Sequence, residues 1–168
     1  MSVVGNSGAG KTTFLEKLVP ELKRRGFRVA VIKHDAHGFD MDRPGKDTYR
    51  LTQAGGDIVM IAGRGKLALL EALDCERSLD DLVAMVSDRV DIVLTEGYRT
   101  AGKMKIEISR RARQDQLVSP VAELVALVTD REFEVNVPHF GLDDAAGVAS
   151  MLESRLSLRR PWPEHVTG

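Results

Sequence analysis

Apolar residues along the chain switch repeatedly between two periods. Val3 and Val4 make a very short apolar stretch, and Phe14, Leu15, Leu18, Val19 and Leu22 then recur at the spacing of one helix face, which predicts strand, loop and helix over residues 1–25. Pro20 falls inside that stripe and is expected to kink it, and Gly26 is placed to end it. Val29, Ala30, Val31 and Ile32 are consecutive, so residues 28–33 predict a buried strand. Residues 34–46 carry Gly38, Pro44 and Gly45 among charged side chains and predict a loop longer than the usual connection.

Asp47 can cap a short helix to Ala54, ended by Gly55 and Gly56. Two strand-like runs, 57–62 and 66–70, surround Gly63-Arg64-Gly65 and predict a hairpin. Ser78 with Asp81 opens a further helix to about Ser87. Residues 91–95 and 125–129 predict buried strands that end at Glu96 and Asp130. Lys105 to Ser109 alternates, the pattern of an antiparallel or edge strand, and residues 143–156 form a last helix. Buried apolar strands alternating with amphipathic helices predict an α/β fold: a mostly parallel sheet with helices on both faces and a β-hairpin or edge-strand insertion. Ligands of such sheets collect at the carboxyl ends of the strands, where Gly5, His34, Glu96 and Asp130 all fall.

Composition narrows the class. The 168 residues predict one domain, 1–168, with 157–168, around Pro161, Trp162 and Pro163, as a flexible tail. Lys and Arg number 24 against 25 Asp and Glu, a balance that excludes a globally basic nucleic-acid binder. The charge is segregated: residues 71–96 hold eight acids and two arginines, and residues 99–113 hold Arg99, Lys103, Lys105, Arg110, Arg111 and Arg113 against Glu107 alone. That basic stretch is a candidate receiver of an anionic second ligand or an acidic partner surface, set against the plainer reading of a solvated loop. Apolar runs are too short for a bilayer, Cys75 is the lone cysteine, and a motif beginning at Gly5 leaves no room for a signal peptide, so a cytoplasmic location is expected.

The motif is Gly5-Asn6-Ser7-Gly8-Ala9-Gly10-Lys11-Thr12, followed by Thr13. It matches the P-loop pattern at every fixed position, between a predicted strand and helix. Its backbone N–H groups cradle phosphate, Lys11 reaches the β- and γ-phosphates, and the Thr12 hydroxyl joins a Mg²⁺ shell. Glu96, at the end of an apolar strand, is the candidate second Mg²⁺ residue. Lys33, His34, Asp35, His37, Asp40, Asp42, Lys46 and Asp47 crowd one stretch. We weigh it as a switch-like loop, with Asp35, Asp42 or Asp47 toward Mg²⁺ and Lys33 or Lys46 toward phosphate, against a transition-metal site through the histidines and against solvated loop charges. Asp130 follows the right kind of strand to accept from a guanine edge, although an Asp capping a turn is the commoner explanation.

The P-loop, then Lys33-His34-x-x-His37-x-Phe39-Asp40-x-Asp42-x-Pro44-Gly45-Lys46-Asp47-Thr48-x-Arg50, Thr95-Glu96-Gly97-Tyr98 and Lys105-Ile106-Glu107, closely resemble the MobB family of molybdopterin-guanine dinucleotide biosynthesis adapter proteins. The resemblance spans roughly Val3 to Asp130. It implies GTP as the nucleotide, weak GTP hydrolysis, a homodimer, and partnership with the MobA guanylyltransferase that attaches GMP to molybdopterin, with molybdopterin itself or a molybdoenzyme as further candidate partners. With no arginine finger or water-orienting glutamine identifiable, hydrolysis is expected at ~10⁻⁴ to 10⁻² s⁻¹. Two rival classes use the same P-loop: a small-molecule or nucleoside kinase, and a metallochaperone GTPase loading a metal through His34 and His37.

Overall fold

The computed structural model describes residues 1–36, 38–111 and 116–156. Backbone contacts group them into two compact units, residues 1–34 with 79 onward, and residues 35–78. The predicted flexible tail, 157–168, lies outside the described residues, as does His37.

The first unit is a parallel sheet. Its strands are β1 (Ser2–Val4), β2 (Val29–Lys33), β5 (Ile92–Glu96), β6 (Lys105–Ser109), β7 (Leu124–Thr129) and the two-residue β8 (His139–Phe140), in the order β2-β5-β1-β6-β7-β8. Every pairing is parallel. Helix α1 (Lys11–Arg24) returns from β1, and α4 (Ala145–Arg155) closes the chain beside it. Arg25 fastens the two, donating to Ala146 O at 2.9 Å and to Glu153 at 3.2 Å. Their shared apolar face, with Phe14, Leu18, Leu22, Val148 and Leu152, packs on Val3, Leu94, Ile106 and Ile108 to make the core. Helix α3 (Leu79–Ala84) buries Leu79 and meets the other face, where Leu79, Val83, Ser2 and Thr95 line one cavity. Pro20 does not interrupt α1, which runs through it on the exposed side. Asp144 caps the start of α4, accepting from Gly147 N at 2.8 Å.

Two strand assignments are corrected. Residues 28–33, expected to be buried, form the outer strand of the sheet, bonded among the described strands to β5 alone, and Val31 is exposed. An apolar run cannot distinguish an inner strand from one whose second neighbour is missing. Conversely, Lys105–Ser109, expected at an edge or antiparallel, is an inner parallel strand buried along its whole length. Its two charged residues are tolerated inside because they are satisfied: Glu107 accepts from Val118 N at 2.8 Å and Ser119 N at 2.9 Å, and the Lys105 ammonium donates to Lys103 O and to the Glu123 carboxylate.

The second unit holds α2 (Asp47–Gln53) and a two-stranded antiparallel hairpin, β3 (Ile58–Gly63) and β4 (Lys66–Glu71). The hairpin stands where the turn signal placed it. The register puts Met60 opposite Leu69 and Ala62 opposite Leu67, and all four are exposed. Lys46, not Asp47, occupies the N-cap of α2. Among the described residues no helix is long and apolar enough to cross a membrane.

Candidate functional site

The loop between β1 and α1 leaves the sheet at Gly5, whose φ is +145°. A Cβ there would lie 2.3 Å from the carbonyl oxygen of Ile108 on β6, so only glycine lets the loop pass this close to the neighbouring strand. The loop then closes on itself through Ala9 N to Asn6 O at 3.2 Å and enters α1 through Gly10 in the left-handed region. No side chain caps the helix and no acid stands in its first turn, so the free N–H groups of that turn and the positive end of the helix dipole face the loop uncompensated.

Lys11 folds back over the loop it follows. Its ammonium donates to Gly5 O at 3.2 Å and Asn6 O at 3.0 Å, which fixes the charge above the loop backbone. Burial pushes this ammonium below the usual lysine range; the nearby Glu96 carboxylate opposes the shift, and Arg99 and Lys33 add to it. One residue on, Thr12 Oγ1 donates to both carboxylate oxygens of Glu96, each at 2.9 Å, across a sequence separation of 84. Glu96 is 9% exposed at the carboxyl end of β5. A hydroxyl and a carboxylate in contact are hard oxygen donors of the type Mg²⁺ takes, so these residues fit that ion.

The remaining predicted residues divide between the units. Asn6, Ser7, Gly8, Ala9, Thr13, Lys33, His34 and Asp130 are in the first. Lys33 ends β2 in register with Glu96 and is exposed, and His34 N donates to Glu96 O at 3.0 Å. The ring of His34 lies 4.9 Å from that of Tyr98. Asp130 stands exposed beyond β7 and accepts from Arg111 N at 2.7 Å, the contact of a turn-holding aspartate. Lys46, Asp47 and Asp42 are in the second unit, where Lys46 and Asp47 are exposed at the start of α2 and Asp42 accepts from Arg43 N at 2.8 Å. Among the described residues no group of three or more His, Cys, Asp or Glu is arranged to hold a metal ion.

Two cations at the P-loop were not assigned to it from sequence. Arg99 Nη2 donates to Gly5 O at 2.6 Å and to Asn6 Oδ1 at 3.3 Å. Arg110 Nη2 lies 3.6 Å from where a Cβ on Gly10 would stand. The available signal was the basic stretch after Glu96; what it lacked was the strand order, which carries 99 and 110 back to opposite ends of one loop.

Comparison with known proteins places the chain in one family. The family model described as molybdopterin guanine dinucleotide synthesis protein B matches residues 1–130. The molybdopterin-guanine dinucleotide biosynthesis adapter protein of Haemophilus influenzae is 34% identical, over the whole of this chain and 91% of its own length. That of Escherichia coli is 34% identical, over 87% of this chain and 86% of its own. A crystal structure titled molybdopterin-guanine biosynthesis protein B superposes with a TM-score of 0.72 at 28% identity, covering 92% of this chain and 97% of the other. One of Bacillus subtilis MobB gives 0.71 at 25% identity, covering 95% and 98%.

Proposed function

The chain belongs to the MobB family and serves molybdopterin guanine dinucleotide biosynthesis, and from that premise we propose that it does so as a GTP-binding adapter with slow intrinsic hydrolysis. The observation that carries this reading is the conjunction of Lys11 folded over the Gly5–Gly10 loop with Thr12 bonded to Glu96. The loop backbone and the first turn of α1 bind the phosphates, and Lys11 supplies charge at the β- and γ-phosphates. Thr12 and Glu96 hold Mg²⁺, which when bound neutralises charge on the β- and γ-phosphate oxygens. Guanine preference is taken from the family, with Asp130 as the candidate base contact.

The exposed apolar face of the hairpin supports the homodimer, since Ile58, Met60, Leu67 and Leu69 share one face and are each exposed. The partner in this reading is a MobA-type guanylyltransferase, met in the cytoplasm. The loop acid Asp42 and the start of α2, Lys46 and Asp47, are its candidate nucleotide-responsive residues.

Titration with GTP, ATP and Mg²⁺ tests the proposal. We expect saturable, Mg²⁺-dependent GTP binding that exceeds ATP binding. Lys11→Ala should weaken GTP at least about a hundredfold while circular dichroism stays unchanged, because the ammonium contacts loop and ligand rather than core. A variant that binds GTP as tightly as the parent would refute the P-loop assignment, and phosphate transfer from ATP to a small acceptor would favour a kinase instead.

A further inference from the structure

We propose that Arg99 is the residue by which this protein distinguishes a nucleoside triphosphate from a diphosphate, an inference that rests on the nucleotide-binding reading above. The starting observation is one crowded oxygen. The carbonyl of Gly5 accepts from the Lys11 ammonium at 3.2 Å and from the Arg99 guanidinium at 2.6 Å. Two like charges thus share one neutral acceptor, and an anion seated between them relieves their repulsion.

The position of that oxygen identifies the anion. In a P-loop the lysine reaches the β- and γ-phosphates while the backbone amides nearer the helix cradle the α- and β-phosphates. Arg99 meets Lys11 at the first residue of the loop and also reaches Asn6 Oδ1, so its charge belongs to the γ end. The guanidinium is not used up there. Only Nη2 is engaged, and Nε and Nη1 have no partner among the described residues, which leaves the planar fork that phosphate oxygens accept from in pairs.

The backbone that delivers Arg99 is built for this purpose. Immediately after the candidate Mg²⁺ carboxylate, Gly97 and Tyr98 are both left-handed, with φ of +97° and +56°. Tyr98 is the one non-glycine residue with positive φ among the described residues, a conformation that persists only where its surroundings enforce it. Those surroundings are present: Gly97 N donates to Val3 O at 3.1 Å, the Tyr98 ring packs against His34, and a Cβ on Gly97 would press to 3.3 Å from His34 Cβ. The turn ends β5, and Arg99 directly after it meets Gly5 O and Asn6 Oδ1. Arg110, beside Gly10 at the helix end of the loop, provides an internal contrast, since a cation there meets phosphates common to both nucleotides.

Equilibrium binding of a non-hydrolysable GTP analogue and of GDP, with Mg²⁺, tests this on the full chain. Arg99→Ala should weaken the triphosphate at least about tenfold and GDP less than about threefold, and Arg99→Lys should recover part of the difference. Arg110→Ala should weaken both alike. Equal losses for both nucleotides in Arg99→Ala, or no loss for either, would overturn the inference while leaving nucleotide binding intact. A parent protein that binds adenine nucleotides in place of guanine refutes only the base preference, and the same ratio read on an ATP analogue and ADP then decides the role of Arg99. A parent that binds neither class sinks both readings.

Discussion

The two units of this chain treat apolar residues in opposite ways. In the first, Phe14, Leu18, Leu22, Leu94, Ile106 and Leu152 are buried between sheet and helices. In the second, Val59 is the one buried apolar residue among those described, and Ile58, Met60, Ile61, Leu67 and Leu69 are each between 45% and 59% exposed. A parallel sheet with a helix pair on one face satisfies its own hydrophobic demand. A lone two-stranded hairpin cannot, because each strand has one neighbour and its apolar residues stay about half exposed. The first unit therefore carries its own core beneath the candidate site, and the second presents an exposed apolar surface.

The contrast breaks most visibly if equivalent truncations have equal costs. Phe14→Ala, at 2% exposure, should cost about 3–5 kcal/mol and lower the melting temperature by on the order of 10 °C. Next in size is the hairpin. Met60→Lys should convert a dimer to a monomer in light scattering at micromolar concentration, and should shift the unfolding free energy of that monomer by no more than about 0.5 kcal/mol. If Met60→Lys unfolds the chain, or Phe14→Ala melts like the parent, the division of labour between the units is wrong.

A smaller effect sharpens how the scaffold holds its outer strand. Asp91 accepts from Arg28 N at 2.7 Å, Nε at 3.2 Å and Nη2 at 2.9 Å, tying the chain just before β5 to the start of β2. The Arg28 hydrogen bonds hold the Asp91 carboxyl below the usual carboxylate range. A carboxylate whose pKa is lowered by folding stabilises the protein above its unfolded value of about 3.9, and that stability is lost as pH falls through the lower folded value. Asp91→Asn should therefore cost about 1 kcal/mol at pH 7, roughly 2–4 °C in melting temperature. The gap to the parent should close as pH drops below about 4. A gap that persisted unchanged at low pH would refute the role of the ionised carboxylate.

Much of the fold was legible because its signals are local. The hairpin follows from a turn signal between two apolar runs, and α1 and α4 from their periodicity. The strands at 28–33 and 105–109 were located correctly but ranked wrongly, since burial in a sheet depends on how many neighbours a strand acquires. Lys105 and Glu107 read as solvent-facing until Glu123 and the amides of Val118 and Ser119 are seen to satisfy them.

The candidate site divides along the same line. The loop of residues 5–12 was legible in the sequence alone, because the backbone amides of a P-loop are contiguous and the left-handed turns at Gly8 and Gly10 are local. The pairing of Thr12 with Glu96, the return of Arg99 to Gly5 and the placing of Arg110 beside Gly10 were decided only by the tertiary structure. Those contacts join residues some 80 to 100 positions apart. They depend on the order β2-β5-β1-β6, a choice made by long-range hydrogen bonding and the packing of two buried faces, which no periodicity within a single segment encodes.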